Sequence, residues 1–363
     1  MMRLLFILTI ILLVVCTLLA SGAKAVGRVF PSALLAFVSQ NDDDFTLDII
    51  DLWHDLRISL GSSVNVSAPA WSADGRLAFA STRDGNVEVY VWDDATLINV
   101  SNNPDTSDHT PKWSADGRLA FVSSRNERFE IYVWDGTTVT NISRSQDTDD
   151  TLPAWSADGR LAFVSERDAN LEIYVWDGAT LNNISQNPNA SDYTPVWSAD
   201  GRLAFVSIGN FSTEIYVFDG STLTDISLSP DADNSSPVWS ADGRLAFVSE
   251  YGDGNAIFVS DGAVITPLQT DAFDPTWSAD GRLAFVASRN RDPDIFVWDN
   301  DTLTNVSQSP LLDSRPVWSA DGQLAFVSNR TGNLDLYVWN GSTLTNVTQT
   351  PDTDEFLTVW WTP

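Results

Sequence analysis

Pro153-Ala154-Trp155-Ser156-Ala157-Asp158-Gly159-Arg160-Leu161-Ala162-Phe163-Val164-Ser165 is the stretch that decides the fold. Its W-S-A-D-G core recurs at Trp71, Trp113, Trp155, Trp197, Trp239, Trp277 and Trp318. The spacings are 42, 42, 42, 42, 38 and 41 residues, and 42 more lead to Trp360. A period of this length is that of a four-stranded propeller blade. Within the quoted unit the strands read as Pro153–Trp155, Leu161–Ser165, Glu172–Trp176 and Leu181–Ser185. The turns Ser156-Ala157-Asp158-Gly159 and Asp177-Gly178 separate them, with glycine free to take positive φ. The LAFVS and IYVW runs are apolar at every position, as strands buried on both faces are.

The strand count predicts an all-β chain forming a single eight-bladed propeller over residues 26–363. A second, third and fourth strand follow each of the seven motifs. A divergent eighth set stands at the front, at 35–39, 47–52 and 57–60, and lacks a first strand. Residues 358–361 read as a first strand with nothing after it. Together the two fragments make one blade and close the ring by pairing the ends of the domain, which leaves no open sheet edge.

Residues 1–25 read as an export signal or membrane anchor. Arg3 gives a positive start, Leu4–Ala20 is a 17-residue apolar run, and Ala23-Lys24-Ala25 fits a cleavage pattern. Cys16, the sole cysteine, falls inside that run, so the domain is expected to fold without disulfides. The predicted location is outside the cytoplasm: extracellular, periplasmic or on the outer face of a membrane. The whole chain has 20 basic and 49 acidic residues; without Arg3 and Lys24 the basic count falls to 18 and the net charge to −31. Phosphate backbones repel such a chain, which argues against nucleic acid as a partner.

The motif set Pro153–Gly159, Leu161–Asp168 and Glu172–Val175 resembles the TolB-type propeller repeat, whose pattern is close to P-x-W-S-P-D-G, I-A-F-x-S-x-R-D-G-N and x-I-Y-V-M-D. Ala replaces the family's proline before Asp-Gly. The resemblance spans the domain and implies the propeller fold. It is less specific for function, because the family includes periplasmic scaffolds and the gating propellers of certain peptidases. The family's namesake has six blades and a further N-terminal domain; the present count is eight.

Connections in a propeller alternate between two ends. The SADG and WDG turns share one end and scarcely vary. The opposite end varies from copy to copy and is acidic, and variation among sibling repeats is where a ligand surface is written. Five residues before successive tryptophans stand Asp108, Asp150, Asp192, Asn234, Ala272, Asp313 and Glu355. They read either as caps on the backbone entering the first strand or as oxygens facing a cation or a basic partner. Arg83, Arg125, Arg167, Arg289 and Arg330 recur nearby, as salt-bridge partners for loop aspartates or as carboxylate binders. His109, Tyr193, Phe273 and Phe356 supply aromatic surface at the same level. Asp147, Asp149 and Asp150 form the densest acidic cluster, without the spacing or terminal glutamate of an EF-hand. Trp71, Trp113, Trp155, Trp197, Trp239, Trp277, Trp318 and Trp360 read as structural, because a ligand box does not repeat in every blade. Lys112 is the odd residue in an otherwise apolar or Thr column, set to face the channel.

Enzyme signatures are missing: there is no G-x-S-x-G, no H-E-x-x-H, and the two histidines, His54 and His109, lie in different blades. The reading is a monomeric, non-catalytic scaffold without cofactor that binds a protein or peptide partner at its variable end. A carbohydrate-binding module is the alternative, and a glycan-acting enzyme working through paired carboxylates is a third.

Overall fold

The computed structural model describes residues 34–361, apart from 43, 53, 55, 64–65, 146, 210–211, 228–231, 253, 263–264 and 290–291. The expected signal or anchor at 1–25 lies outside the described residues. Among those described, no helix is long and apolar enough to cross a membrane.

The described residues form 32 strands and no helix. Six sheets have four antiparallel strands each. A seventh has eight, being two such sets joined through the single parallel pairing of Thr213 with Asp233. The strands thus fit about eight blades. In the set that opened the sequence reading they run Asp150–Trp155, Leu161–Ser165, Glu172–Trp176 and Leu181–Asn183. The front set, Leu34–Asn41, Asp44–Asp51 and Leu56–Ser63, takes its fourth member from Asp354–Trp361. Leu34 pairs with Trp361 and Gln40 with Asp354.

Two strand bounds differ from the sequence reading, each for a local reason. The first strand begins three residues earlier, at Asp150, because a bulge carries the pairing past Leu152. Leu152 takes φ 53°, and the same left-handed kink recurs three residues before every tryptophan from Trp71 to Trp318. Pro153 follows it where the ladder is already broken, so its missing N–H costs nothing. The fourth strand ends early, at Asn183. The Ser185 hydroxyl accepts the Ile173 N–H at 2.9 Å and donates to Glu172, taking the place of a ladder bond.

The core lies between sheets. Ala162, Val164, Ile173 and Val175 of one set pack against Leu203 and Phe205 of the next, and this cluster repeats from set to set. In each of the seven motif sets the second strand buries a phenylalanine that stacks on a third-strand ring, as Phe163 does on Tyr174 at 6.2 Å. Burying one such ring contributes roughly 2–3 kcal/mol.

Candidate functional site

Each motif tryptophan is bound to the set before it. The Trp155 indole donates to Lys112 O at 3.0 Å and that of Trp197 to Ala154 O at 3.0 Å. The sequence of bonds continues to Trp360, which donates to Val317 O, and Trp71, which donates to Val359 O. The arginine after the motif glycine reinforces this seam. Arg160 forks onto Asp158, donates to Gly201 O at 3.2 Å in the next turn and stacks over Trp197 at 4.5 Å. Arg76, Arg118, Arg202, Arg244 and Arg282 do the same, and only the last motif has Gln323 instead. The sequence reading assigned this arginine no role. Its recurrence in six of seven copies was the available signal.

At the opposite end the recurring acids and arginines meet. Asp150 is fully buried. Arg167 contacts its carboxylate at 3.1 Å, donates to Ser165 Oγ at 2.8 Å and reaches back to Ser143 O at 3.1 Å. Its guanidinium stands 4.6 Å from the Tyr174 ring centre and 6.0 Å from that of Phe163. Arg330 repeats this socket with Asp313, Ser328, Ser307, Tyr337 and Phe326. Arg125 repeats it more loosely, 3.9 Å from Asp108. Arg83 occupies its socket with Val66 in the acid's place and donates to Leu60 O. The Arg289 side chain lies outside the described residues.

Of the two readings given to the recurring acids, outward-facing oxygens are not what the structure shows. Asp108, Asp150, Asp192, Asp313 and Glu355 have no exposed surface, because the bulge turns them between sheets. Burial raises all five carboxyl pKa values, opposed by neighbouring hydroxyls and, for Asp108, Asp150 and Asp313, by arginine. Glu355 is pushed up to about 7. The aromatic row is half-buried packing: His109 meets Phe129 at 5.3 Å, and Phe356 meets Phe45 at 5.9 Å. Tyr193 and Phe273 pack on the inter-sheet clusters. Asp147, Asp149 and Asp150 diverge: Asp147 is exposed, Asp149 accepts the Phe129 N–H at 2.9 Å and Asp150 faces Arg167. Among the described residues no group of three or more such side chains is placed to hold a metal. Lys112 is exposed but hemmed in, and desolvation lowers its pKa.

This arrangement of four-stranded sheets, each tied to the next, defines a β-propeller. Similar solved structures include propellers of several kinds and TolB proteins. The β-propeller domain of the Trilobed protease from Pyrococcus furiosus is 14% identical, covers 87% of this chain and 94% of its own, and superposes with a TM-score of 0.54. Oligogalacturonate lyase from Vibrio parahaemolyticus is 16% identical over 87% of this chain and 98% of its own, with a TM-score of 0.55. TolB from Acinetobacter baumannii is 20% identical over 65% of this chain and 64% of its own, with a TM-score of 0.45. At these identities the likeness speaks to fold alone. No protein-family model matches the chain, and no curated protein does.

Proposed function

We propose that the chain is an exported, eight-bladed propeller scaffold, closed by its first and last strands, that binds a protein or peptide through its variable connections. The observation that carries this is where the charged repeat residues go. The motif arginines bind neighbouring turns, and Arg125, Arg167 and Arg330 meet acids between sheets. The repeated charges therefore serve assembly, and what differs among copies lies in the connections at the Asp150 end. Eight blades are supported by the indole bonds, which lead from Trp360 through each preceding set to Trp71 and back to Val359. Export is supported by the apolar run and small residues of 1–25.

The test is selection of displayed peptides on the whole protein and on a variant whose variable connections are replaced by one repeated connection. Peptides enriched on the first and lost on the second support the scaffold. Retention on a glycan array, with no peptide enriched, overturns it in favour of a carbohydrate module.

A further inference from the structure

Three sets lack an arginine at this position, where Asn41, Gly209 and Tyr251 stand instead. In the Leu203–Ile208 set, Gly209 stands where Arg125, Arg167 and Arg330 stand in their sets. The rest of the socket is kept. Asp192 matches Asp150, Ser207 matches Ser165, Ser185 matches Ser143, and Phe205 stacks with Tyr216 at 6.0 Å as Phe163 does with Tyr174. All five residues line one cavity of about 270 Å³, together with Gln186, Asn187 and Leu223. A water claims roughly 30 Å³ of liquid, so the space suits a side-chain-sized group.

The lining is also short of a partner. Asp192 is fully buried, and among the described residues only the Ser207 and Ser185 hydroxyls stand beside its carboxylate, neither in good hydrogen-bond geometry. The Ser185 hydroxyl proton is already given to Glu172. Tyr216 and Glu214 are half-buried, whereas Tyr174 and Glu172, which face the filled socket, are buried. Neighbouring sets resolve the problem differently: where Tyr251 replaces the arginine, the acid has become Asn234. Here the carboxylate is retained, and among the described residues no cation faces it.

We propose that this cavity is a binding site for a guanidinium group, held between the Asp192 carboxylate and the Phe205–Tyr216 ring face. A planar guanidinium can fork onto the carboxylate and lie over an aromatic ring at once, which a compact ammonium does less well. Arg167 shows a related pose within the same chain: its Nη2 donates to both Asp150 oxygens, at 3.1 and 3.3 Å, while its guanidinium stands beside the Tyr174 ring. The site stands apart from the scaffold reading, since a small cation tests it without any protein partner.

The experiment is calorimetric titration of the full chain with methylguanidinium and methylammonium at constant ionic strength. One saturable methylguanidinium site is expected, at least about tenfold tighter than methylammonium. Asp192→Asn is expected to weaken it at least about tenfold. Gly209→Arg is expected to abolish it by filling the socket from within. That substitution is tolerated by the backbone: Gly209 is not left-handed, and an added Cβ meets only Ser212 O, at 3.8 Å. Arg167→Gly should in turn raise the stoichiometry from one to two. A blocked arginine peptide that binds tighter than methylguanidinium assigns the group to a protein chain, and equal binding assigns it to a free guanidino compound. No saturable binding to the wild type, or equal binding to wild type and Gly209→Arg, overturns the proposal.

Discussion

Replacing Arg167 with methionine puts a number on the buried Asp150–Arg167 pair. Methionine keeps part of the side chain's apolar bulk and removes the charge. The bonds to Ser143 O and Ser165 Oγ and the contact with Tyr174 are lost. The larger effect falls on Asp150, left charged with no exposed surface. Its escape is to take a proton. From an ordinary aspartate pKa of about 3.9, holding it neutral at pH 7 costs about 4 kcal/mol, at about 1.4 kcal/mol per pH unit. That ceiling falls inside the roughly 3–5 kcal/mol seen when one member of a buried pair is removed. Over some 330 residues the unfolding entropy is about 0.7 kcal/mol/K, so Tm should drop by about 6 °C. The double variant Arg167→Met/Asp150→Asn has no charge to neutralise and should lose only about 2 °C. The two should also differ in pH dependence. With Asp150 raised further in the fold, the single variant's stability is fullest below the unfolded pKa near 4 and falls as pH rises toward 8. Calorimetric melts at pH 5, 6, 7 and 8 decide the matter. Single and double variants melting within about 1 °C of each other at pH 7, with equal pH slopes, would refute the reasoning.

Three further outcomes are expected. Glu355, at about 7 in the fold, favours the protonated form, so its stabilisation is present below about pH 4.5 and is lost as pH rises through 7. Glu355→Gln should flatten that slope in urea titrations. Asp192→Asn removes a buried carboxylate without an arginine and should raise Tm at pH 7 by about 1–3 °C. Ser236 holds φ 53°, and Ser236→Gly should stabilise by about 1 kcal/mol, read from the urea midpoint at unchanged slope.

Period and pattern made most of this architecture legible. A motif tryptophan every 38 to 42 residues and doubly apolar strands admit few arrangements, and a set divided between 35–60 and 358–361 followed from counting. The acids were harder. Asp150 reads as a loop residue because nothing in Thr151-Leu152-Pro153 announces that Leu152 will turn left-handed. That kink extends the strand to Asp150 and swings it inside. The arginine sockets were half-legible: a salt bridge was expected, but aromatic stacking and the reach to a preceding carbonyl depend on how sheets face each other. The incomplete socket needed both views. The Asp192–Gly209 mismatch is plain in the sequence, but its meaning depends on knowing that the two positions touch in the sibling sets.

The pairing of Leu34–Asn41 with Asp354–Trp361 has a consequence for the order of assembly during synthesis. The other sheets are each built from neighbouring residues and can form as the chain emerges. The front one cannot: three of its strands are made first among those described, and its partner comes last. Throughout translation Leu34–Asn41 therefore presents an unpaired edge, the kind that recruits strands from other chains. Joining segments some 320 residues apart in an open chain carries an entropic cost of about 5 kcal/mol. Completed sheets in between shorten the effective search, so the last strand should dock late and quickly. Ribosome-stalled chains ending before residue 354 should aggregate, while those extending past 361 should not.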